Sequence, residues 1–252
     1  MAGLGRIIDF ANDKLRSGSF RDASLNGLQT EGRPEVRRIA LGVSASLEFL
    51  RRAAAARADL AIVHHGLFWK GHLEAVKGPF KKKLALLLDS GMSLAAWHLP
   101  LDAHPVIGNN AALLRILGAK GTRPFGEYDG QTIGLSGALP RPLSPEKAAS
   151  LLAAALGAKP LLFPYGPRKI RRVGAVSGGA ARLFGQAAAA GLDLFVTGEA
   201  GEPSQEGARE LGVNFISAGH YNTEKEGVKA LGRLLERRFR VGTFFVDVPN
   251  PV

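Results

Sequence analysis

The residues that could do chemistry in this chain are histidines and carboxylates, because its 252 residues include no cysteine. The lack of thiols excludes disulfides, thiolate catalysis, iron–sulfur clusters and cysteine-ligated zinc. Any bound metal must therefore be held by nitrogen and oxygen ligands. Imidazole and carboxylate ligands suit Zn, Fe, Mn, Co or Ni.

Four of the six histidines fall at the ends of predicted strands: His64, His65, His98 and His220. An acidic residue lies four positions after each of the last two, and another ends a further strand: Asp102, Glu224 and Glu199. Ligands of α/β sheets bind beyond the carboxyl ends of strands, so we expect these side chains to form a site. Five or more such ligands suit two metals that share a bridging carboxylate.

The positions His98 and Glu199 leave several roles open. Either could orient a ligand histidine or a bound water, or act as a general acid or base beside the metals. Either could also be a buried polar residue that the backbone satisfies. We predict both as catalytic residues.

The elements that must position these residues follow a strand–helix–strand order that occurs twice, about 134 residues apart. The predicted strands span 39–44, 59–63 and 93–97, and then 173–177, 193–197 and 214–218. The predicted helices span 47–57, 109–117, 180–190 and 224–237. Thr223 and Glu226 have the form of a capping box, which predicts Glu224 in the first helical turn and His220 just before it.

This repeat predicts an α/β fold of two related halves, with helices packed on mixed sheets. The first half, residues 1–125, carries the His-His and His-x-x-x-Asp segments. The second half, residues 126–252, carries the Thr-Gly-Glu and His-x-x-x-Glu segments, and we expect the metal site between the halves. Unrelated strand–helix–strand units that merely share a pattern are the alternative to duplication.

The charge of the chain is strongly positive, since 33 basic and 22 acidic residues give +11. Such a surplus attracts polyanions. Aromatic residues are only 7% and do not interleave with the basic runs, so a solvated basic surface is favoured over nucleic-acid binding. No apolar run reaches the roughly 18 residues of a membrane span, and the N-terminus does not read as a secretory signal. We therefore expect a cytoplasmic protein without a membrane partner.

The chain resembles the Nif-three-like family of dinuclear metal centre proteins, often labelled GTP cyclohydrolase I type 2 homologues, in its short form. The resemblance covers nearly the whole chain and is carried by the segments Asn26-Gly-Leu-Gln29, Ile62-Val-His-His-Gly-Leu-Phe-Trp69, His98-Leu-Pro-Leu-Asp-Ala103, Gly108-Asn-Asn110, Val196-Thr-Gly-Glu199 and Gly219-His-Tyr-Asn-Thr-Glu224. It implies a Nif-three-like fold and a ring-shaped homo-hexamer, built as a trimer of dimers. It also implies two divalent transition-metal ions per chain, held by His64, His65, Asp102, His220 and Glu224, with Asp102 or Glu224 bridging.

These ligands favour a metal-dependent hydrolase, since two metals lower the pKa of a shared water and polarise the bond to be broken. The chain has neither a Gly-x-x-x-x-Gly-Lys loop nor an Asn-Lys-x-Asp guanine reader. A phosphoester, a nucleotide or a cyclic amide therefore stays open as the substrate, which we expect to be small and anionic. The alternatives are a ring-shaped binding or scaffold protein with structural or regulatory metals, and a protein for metal storage.

Overall fold

The computed structural model of the chain describes residues 1–71 and 75–252. The strands of these residues are β1 (Ala2–Gly3), β2 (Gly27–Thr30), β3 (Glu35–Val36), β4 (Arg38–Ser44), β5 (Leu60–His65), β6 (Ser93–Ala96), β7 (Lys120–Tyr128), β8 (Gln131–Leu143), β9 (Leu161–Phe163), β10 (Ile170–Ala175), β11 (Leu194–Thr197), β12 (Asn214–Ser217) and β13 (Gly242–Phe245). The helices are α1 (Leu4–Leu15), α2 (Leu47–Ala55), α3 (Gly78–Ser90), α4 (Leu99–Ala103), α5 (Asn109–Ile116), α6 (Pro145–Leu156), α7 (Phe184–Ala189), α8 (Ser204–Leu211), α9 (His220–Thr223) and α10 (Lys225–Phe239).

The chain divides into two compact units. The first unit is Met1–Leu101 with Gly227–Pro249, and the second unit is Asp102–Glu226 with Asn250–Val252. Each unit contains a mixed sheet and helices, which confirms the predicted α/β class. The unit boundaries differ from those of the predicted halves, 1–125 and 126–252, because β13 near the end of the chain pairs with β4. The duplication itself stays a prediction.

The main sheet of the first unit has five strands in the order β13-β4-β5-β6-β2. The first four are parallel and β2 is antiparallel to β6. Strands β4 and β5 are almost continuously buried, as expected for parallel strands that are covered on both faces. Phe49 and Leu50 of α2 and Leu87 of α3 belong to the core that covers this sheet. The sheet thereby fixes the ends of β5 and β6, where three of the candidate histidines occur.

The sheet of the second unit has six strands in the order β7-β8-β10-β11-β12-β9. Its centre, β10-β11-β12, is parallel, and the outer strands are antiparallel to their neighbours. Three rings, those of Phe184, Phe195 and Phe215, pack with centroids 5.1 to 5.9 Å apart. The three parallel strands therefore end at one edge of a rigid, well-packed layer.

The six strands predicted from the repeat are all present as β4, β5, β6, β10, β11 and β12. The predicted helix at 180–190 is a 3₁₀ turn, Ala181–Leu183, followed by α7. The start of the predicted helix 224–237 differs in detail, since His220 begins α9, and Glu224 separates α9 from α10. The Thr223 hydroxyl accepts from the Gly178 amide at 3.1 Å and donates to the His220 carbonyl at 2.9 Å, so it also contacts a distant segment. The capping box of Thr223 and Glu226 stays a prediction.

Candidate metal centre

Three histidines lie together in the first unit, at the carboxyl ends of two neighbouring strands. His64 and His65 end β5, and His98 follows β6 after one residue. One ligand nitrogen from each lies within 4.8 Å of the others, and the ring centroids are 4.7 to 5.5 Å apart. Three imidazoles at this spacing are a donor set that could hold one divalent ion.

The ring orientation of each histidine is fixed by a hydrogen bond at Nδ1. The His64 ring contacts the Trp97 carbonyl at 3.0 Å, so its Nδ1 carries the proton. The His65 Nδ1 lies 3.2 Å from the Ser44 hydroxyl. A proton on Nδ1 leaves the lone pair of a neutral imidazole on Nε2, the nitrogen that metals then bind. This pattern of an anchored second nitrogen is typical of metal-ligating histidines.

The carboxylate of Asp22 orients His98, and sequence reasoning missed it. Asp22 is buried and accepts from His98 Nδ1 at 2.9 Å and from the Leu99 amide at 3.0 Å. It also accepts from the Ser24 amide at 3.0 Å and the Asn26 side chain at 2.9 Å. Burial alone would raise the pKa of Asp22. The hydrogen bond and charge of His98, followed by the bonds from Asn26 and Ser24, outweigh burial and lower this pKa from 3.8 to about 2.

A pH dependence of stability follows from the depressed pKa of Asp22. The contribution of the carboxylate to the free energy of unfolding is fully present above pH 3.8 and is lost as the pH falls through about 2. We expect the stability gap between the wild type and Asp22→Asn, measured by urea unfolding, to narrow across this window. If the difference in free energy of unfolding between the two proteins is the same above pH 3.8 and below about pH 2, the pKa of Asp22 is not lowered by folding.

The segment Asn26–Gln29 holds the chain just beyond both strands. The Asn26 Oδ1 accepts from the His98 amide at 2.8 Å. The Gln29 Oε1 accepts from the amide of Leu67 at 2.7 Å and, at 3.3 Å, from that of the next residue, so it fixes the turn after His65. A Cβ on Gly66 would clash with the amide group of Gln29, so a side chain at this position would displace the Gln29 acceptor. The sequence marked this segment as part of the resemblance but gave it no role.

His220 of the second unit lies between two carboxylates. Its Nδ1 is 2.5 Å from Glu199 Oε1, and its Nε2 is 3.1 Å from Glu224 Oε1. The hydrogen bond to Glu224 raises the pKa of His220 to about 9 against the effect of burial, and the charge of Glu224 and the bond and charge of Glu199 add to the rise. In the absence of metal this imidazole therefore holds a proton at neutral pH, which a metal ion would have to replace.

Asp102 lies in the second unit within a buried polar network. Its Oδ1 accepts from the Ser177 hydroxyl at 2.7 Å and from the side-chain Nδ2 of Asn109 at 2.8 Å. Asn110 donates to the Asp102 carbonyl at 3.1 Å and accepts from the Ser177 amide at 2.7 Å. These contacts fix the carboxylate in one orientation. Ser177 was given no role from the sequence, although it is the last residue of the predicted strand 173–177.

A glycine makes room for the His220 and Glu224 side chains. Gly178 has a φ of +67°, and a Cβ at this position would lie 2.5 Å from Glu224 Oε1 and 3.2 Å from His220 Nε2. Both the backbone conformation and the close side chains therefore disfavour any residue other than glycine at this position. The turn after β10 is built so that the backbone itself packs against the two candidate ligands.

The structure places every predicted site residue within one of these groups. It brings together His64, His65 and His98 in the first unit. It brings together His220, Glu224 and Glu199 in the second unit, which also contains Asp102. The donor set of imidazole nitrogens and carboxylate oxygens fits a first-row divalent ion. The number and identity of the ions, and the catalytic roles of His98 and Glu199, stay predictions.

Fold and site together define an α/β protein with histidine and carboxylate groups that could hold a metal ion. The family described as DUF34/NIF3 (NGG1p interacting factor 3) matches residues 2–251. The chain is 44% identical over 248 residues to the GTP cyclohydrolase 1 type 2 homolog of Pseudomonas aeruginosa, and 40% identical over 247 residues to that of Archaeoglobus fulgidus, with 98% of each chain covered. The solved structure of TTHA1606 from Thermus thermophilus matches with a TM-score of 0.91 and 38% identity over 100% of both chains. The chain therefore belongs to the DUF34/NIF3 family, which confirms the resemblance.

Proposed function

We propose that the protein is a metal-dependent hydrolase that holds two divalent transition-metal ions through the side chains of His64, His65, Asp102, His220 and Glu224. The observation that carries the proposal is the anchoring of four of these groups, since His64, His65, Asp102 and His220 each have a hydrogen-bond partner outside the proposed ligand set that orients the side chain. Partners of this kind orient the ligands of metal sites in proteins. Bound ions would lower the pKa of a water and polarise a phosphoryl or carbonyl group.

Two further polar residues, His98 and Glu199, would transfer protons in the reaction. Asp22 keeps the Nδ1 of His98 protonated, so Nε2 of His98 can accept a proton as a general base. Glu199 bonds to His220, and its side chain is 42% exposed, so it can exchange protons with solvent. We therefore assign proton transfer in the reaction to His98 and Glu199, with His98 as the general base.

The substrate in this proposal is a small phosphoester, nucleotide or cyclic amide. The name of the relatives, GTP cyclohydrolase 1 type 2 homolog, supports the inclusion of purine nucleotides among the compounds to be tested.

We also propose a cytoplasmic ring-shaped homo-hexamer, a trimer of dimers, as the resemblance implies. Its mass in analytical ultracentrifugation would be six times the 26.6 kDa of the chain. Among the described helices none combines the length and the apolar character of a membrane span.

Metal content tests the ligand assignment. We expect two transition-metal ions per chain in protein purified without a tag, measured by elemental analysis. His64→Ala and Glu224→Ala should lower this number to one or none while the circular dichroism spectrum stays unchanged. Glu210→Ala, which changes an exposed glutamate on α8, is the matched control and should keep both ions. Two ions in both ligand variants would overturn the assignment.

Hydrolysis tests the reaction. Phosphoesters, nucleotides and cyclic amides are screened with the purified protein, with the chelator-treated protein, and after metal is restored. We expect hydrolysis of one class that the chelator abolishes and added metal recovers. Full metal content without any chelator-sensitive hydrolysis would instead assign the ions a structural or regulatory role in a scaffold protein.

A further inference from the structure

An open cleft of about 800 Å³ lies in the first unit, beside the end of α1 and the segment that leads to β2. This volume is within the range of small-molecule binding sites. The lining includes polar and charged side chains, among them those of Asn12, Asp13, Arg16, Ser24, Asn26 and Lys70. The proposed hydrolase reaction assigns no role to this cleft.

The charge that lines the cleft is positive. Within residues 1–71 and 75–252, neither the guanidinium of Arg16 nor the ammonium of Lys70 makes an ion pair. Asp13 is the one carboxylate among the lining residues, so the cleft carries a net positive charge. Two cations that form no ion pair with the described residues and lie beside one cleft attract an anionic ligand.

A buried hydroxyl in the lining has no partner. Ser24 is 1% exposed, and its Oγ has no hydrogen-bond partner among the residues that the structure describes. A buried hydroxyl without a hydrogen-bond partner is destabilising, so it requires an explanation. The Ser24 amide is bound to Asp22, which fixes the position of the residue. A ligand oxygen in the cleft would satisfy this hydroxyl.

Asn26 connects the lining of the cleft to His98. Asn26 lines the cleft, accepts from the His98 amide at 2.8 Å and donates to Asp22 at 2.9 Å. Asp22 in turn accepts from the His98 ring. A ligand in the cleft is therefore separated from the histidine cluster by one side chain.

We propose that this cleft binds the phosphate monoester group of a small metabolite. Arg16 and Lys70 neutralise the two negative charges, and the Ser24 hydroxyl donates to a phosphate oxygen. The phosphate backbone of a nucleic acid is instead bound by a row of cations interleaved with stacking aromatic rings. The cleft offers two cations, and Phe20 is its one aromatic lining residue. The inference concerns binding alone and does not depend on the metal centre.

Calorimetric titration with inorganic phosphate and with ribose 5-phosphate tests the proposal, on native and on chelator-treated full-length protein. We expect saturable binding to both preparations. Lys70→Gln and Arg16→Asn should each weaken binding about tenfold or more, the loss expected for a hydrogen bond to a charged group. Asparagine is chosen at position 16 because Arg16 has a φ of +50°, which this residue tolerates. Lys14→Gln, an equal loss of charge on α1 outside the cleft lining, should leave the affinity unchanged.

Ser24→Ala separates binding from a structural role. The variant should weaken phosphate binding while its melting temperature stays equal to that of the wild type or rises, since an unsatisfied hydroxyl is removed. A fall in melting temperature with unchanged binding would overturn the role of Ser24. Three results would overturn the site itself: phosphate binding only to the metal-loaded protein, an equal effect of Lys14→Gln, or a single-stranded oligonucleotide that binds far more tightly than phosphate through the same residues.

Discussion

Gly178→Ala is expected to weaken metal binding at His220 and Glu224 by at least about tenfold, which corresponds to 1.4 kcal/mol. The added Cβ would lie 2.5 Å from Glu224 Oε1, a distance that forces the carboxylate to move. Glu224 is 2% exposed, so its carboxylate cannot move out into solvent without rearrangement of its neighbours. Metal affinity is measured by titration of chelator-treated protein, and the NMR shifts of the His220 ring report the same displacement without metal.

The control for this substitution is Gly157→Ala. Gly157 also has a positive φ, +73°, but no atom lies within 4 Å of the position of its Cβ. Both variants therefore carry the same backbone strain, about 1–2 kcal/mol, and only the first carries the clash. If the two variants lower metal affinity equally, the close packing of Gly178 against the ligands has no functional consequence.

Asp22→Ala is expected to lower the free energy of unfolding by about 3 kcal/mol, since each buried donor that loses its acceptor costs about 1–3 kcal/mol. The substitution leaves four hydrogen-bond donors without their acceptor: Ser24 N, Asn26 Nδ2, His98 Nδ1 and Leu99 N. Desolvated donors that lose their partner account for most of this loss. Urea unfolding monitored by circular dichroism gives the value.

Asp9→Ala serves as the matched control, since Asp9 is an exposed aspartate on α1. A surface substitution of this kind changes stability by about 0.5 kcal/mol or less. A loss below about 1 kcal/mol for Asp22→Ala would mean that solvent replaces the carboxylate. Asp22 would then have no central role in positioning His98.

The strands and their terminal residues could be predicted because both signals are local. The apolar runs of β4 and β5 are uninterrupted, and His64 and His65 directly follow one of them in the sequence. Asp22 could not be predicted, because it lies in an irregular segment and its partner His98 is 76 residues away. The donors to Asp102 are likewise distant, since Ser177 is separated from it by 75 residues.

The surroundings of Thr223 could not be predicted for a similar reason. Its hydroxyl accepts from the Gly178 amide, 45 residues away in the chain, and no local pattern specifies this contact. The pairing of β13 with β4 was unpredictable for the same reason, because nothing in either segment specifies a neighbour about 200 residues away in the chain.

The hydrogen bonds of residues 22–29 also determine how the first unit opens. Four backbone amides beyond β5 and β6 are held by side chains of this one stretch rather than by a strand neighbour: those of Leu67, Phe68, His98 and Leu99. Detachment of the stretch would release all four amides in a single event. The two strand ends therefore form one cooperative unit of local unfolding, in which the three histidines are ordered or disordered together.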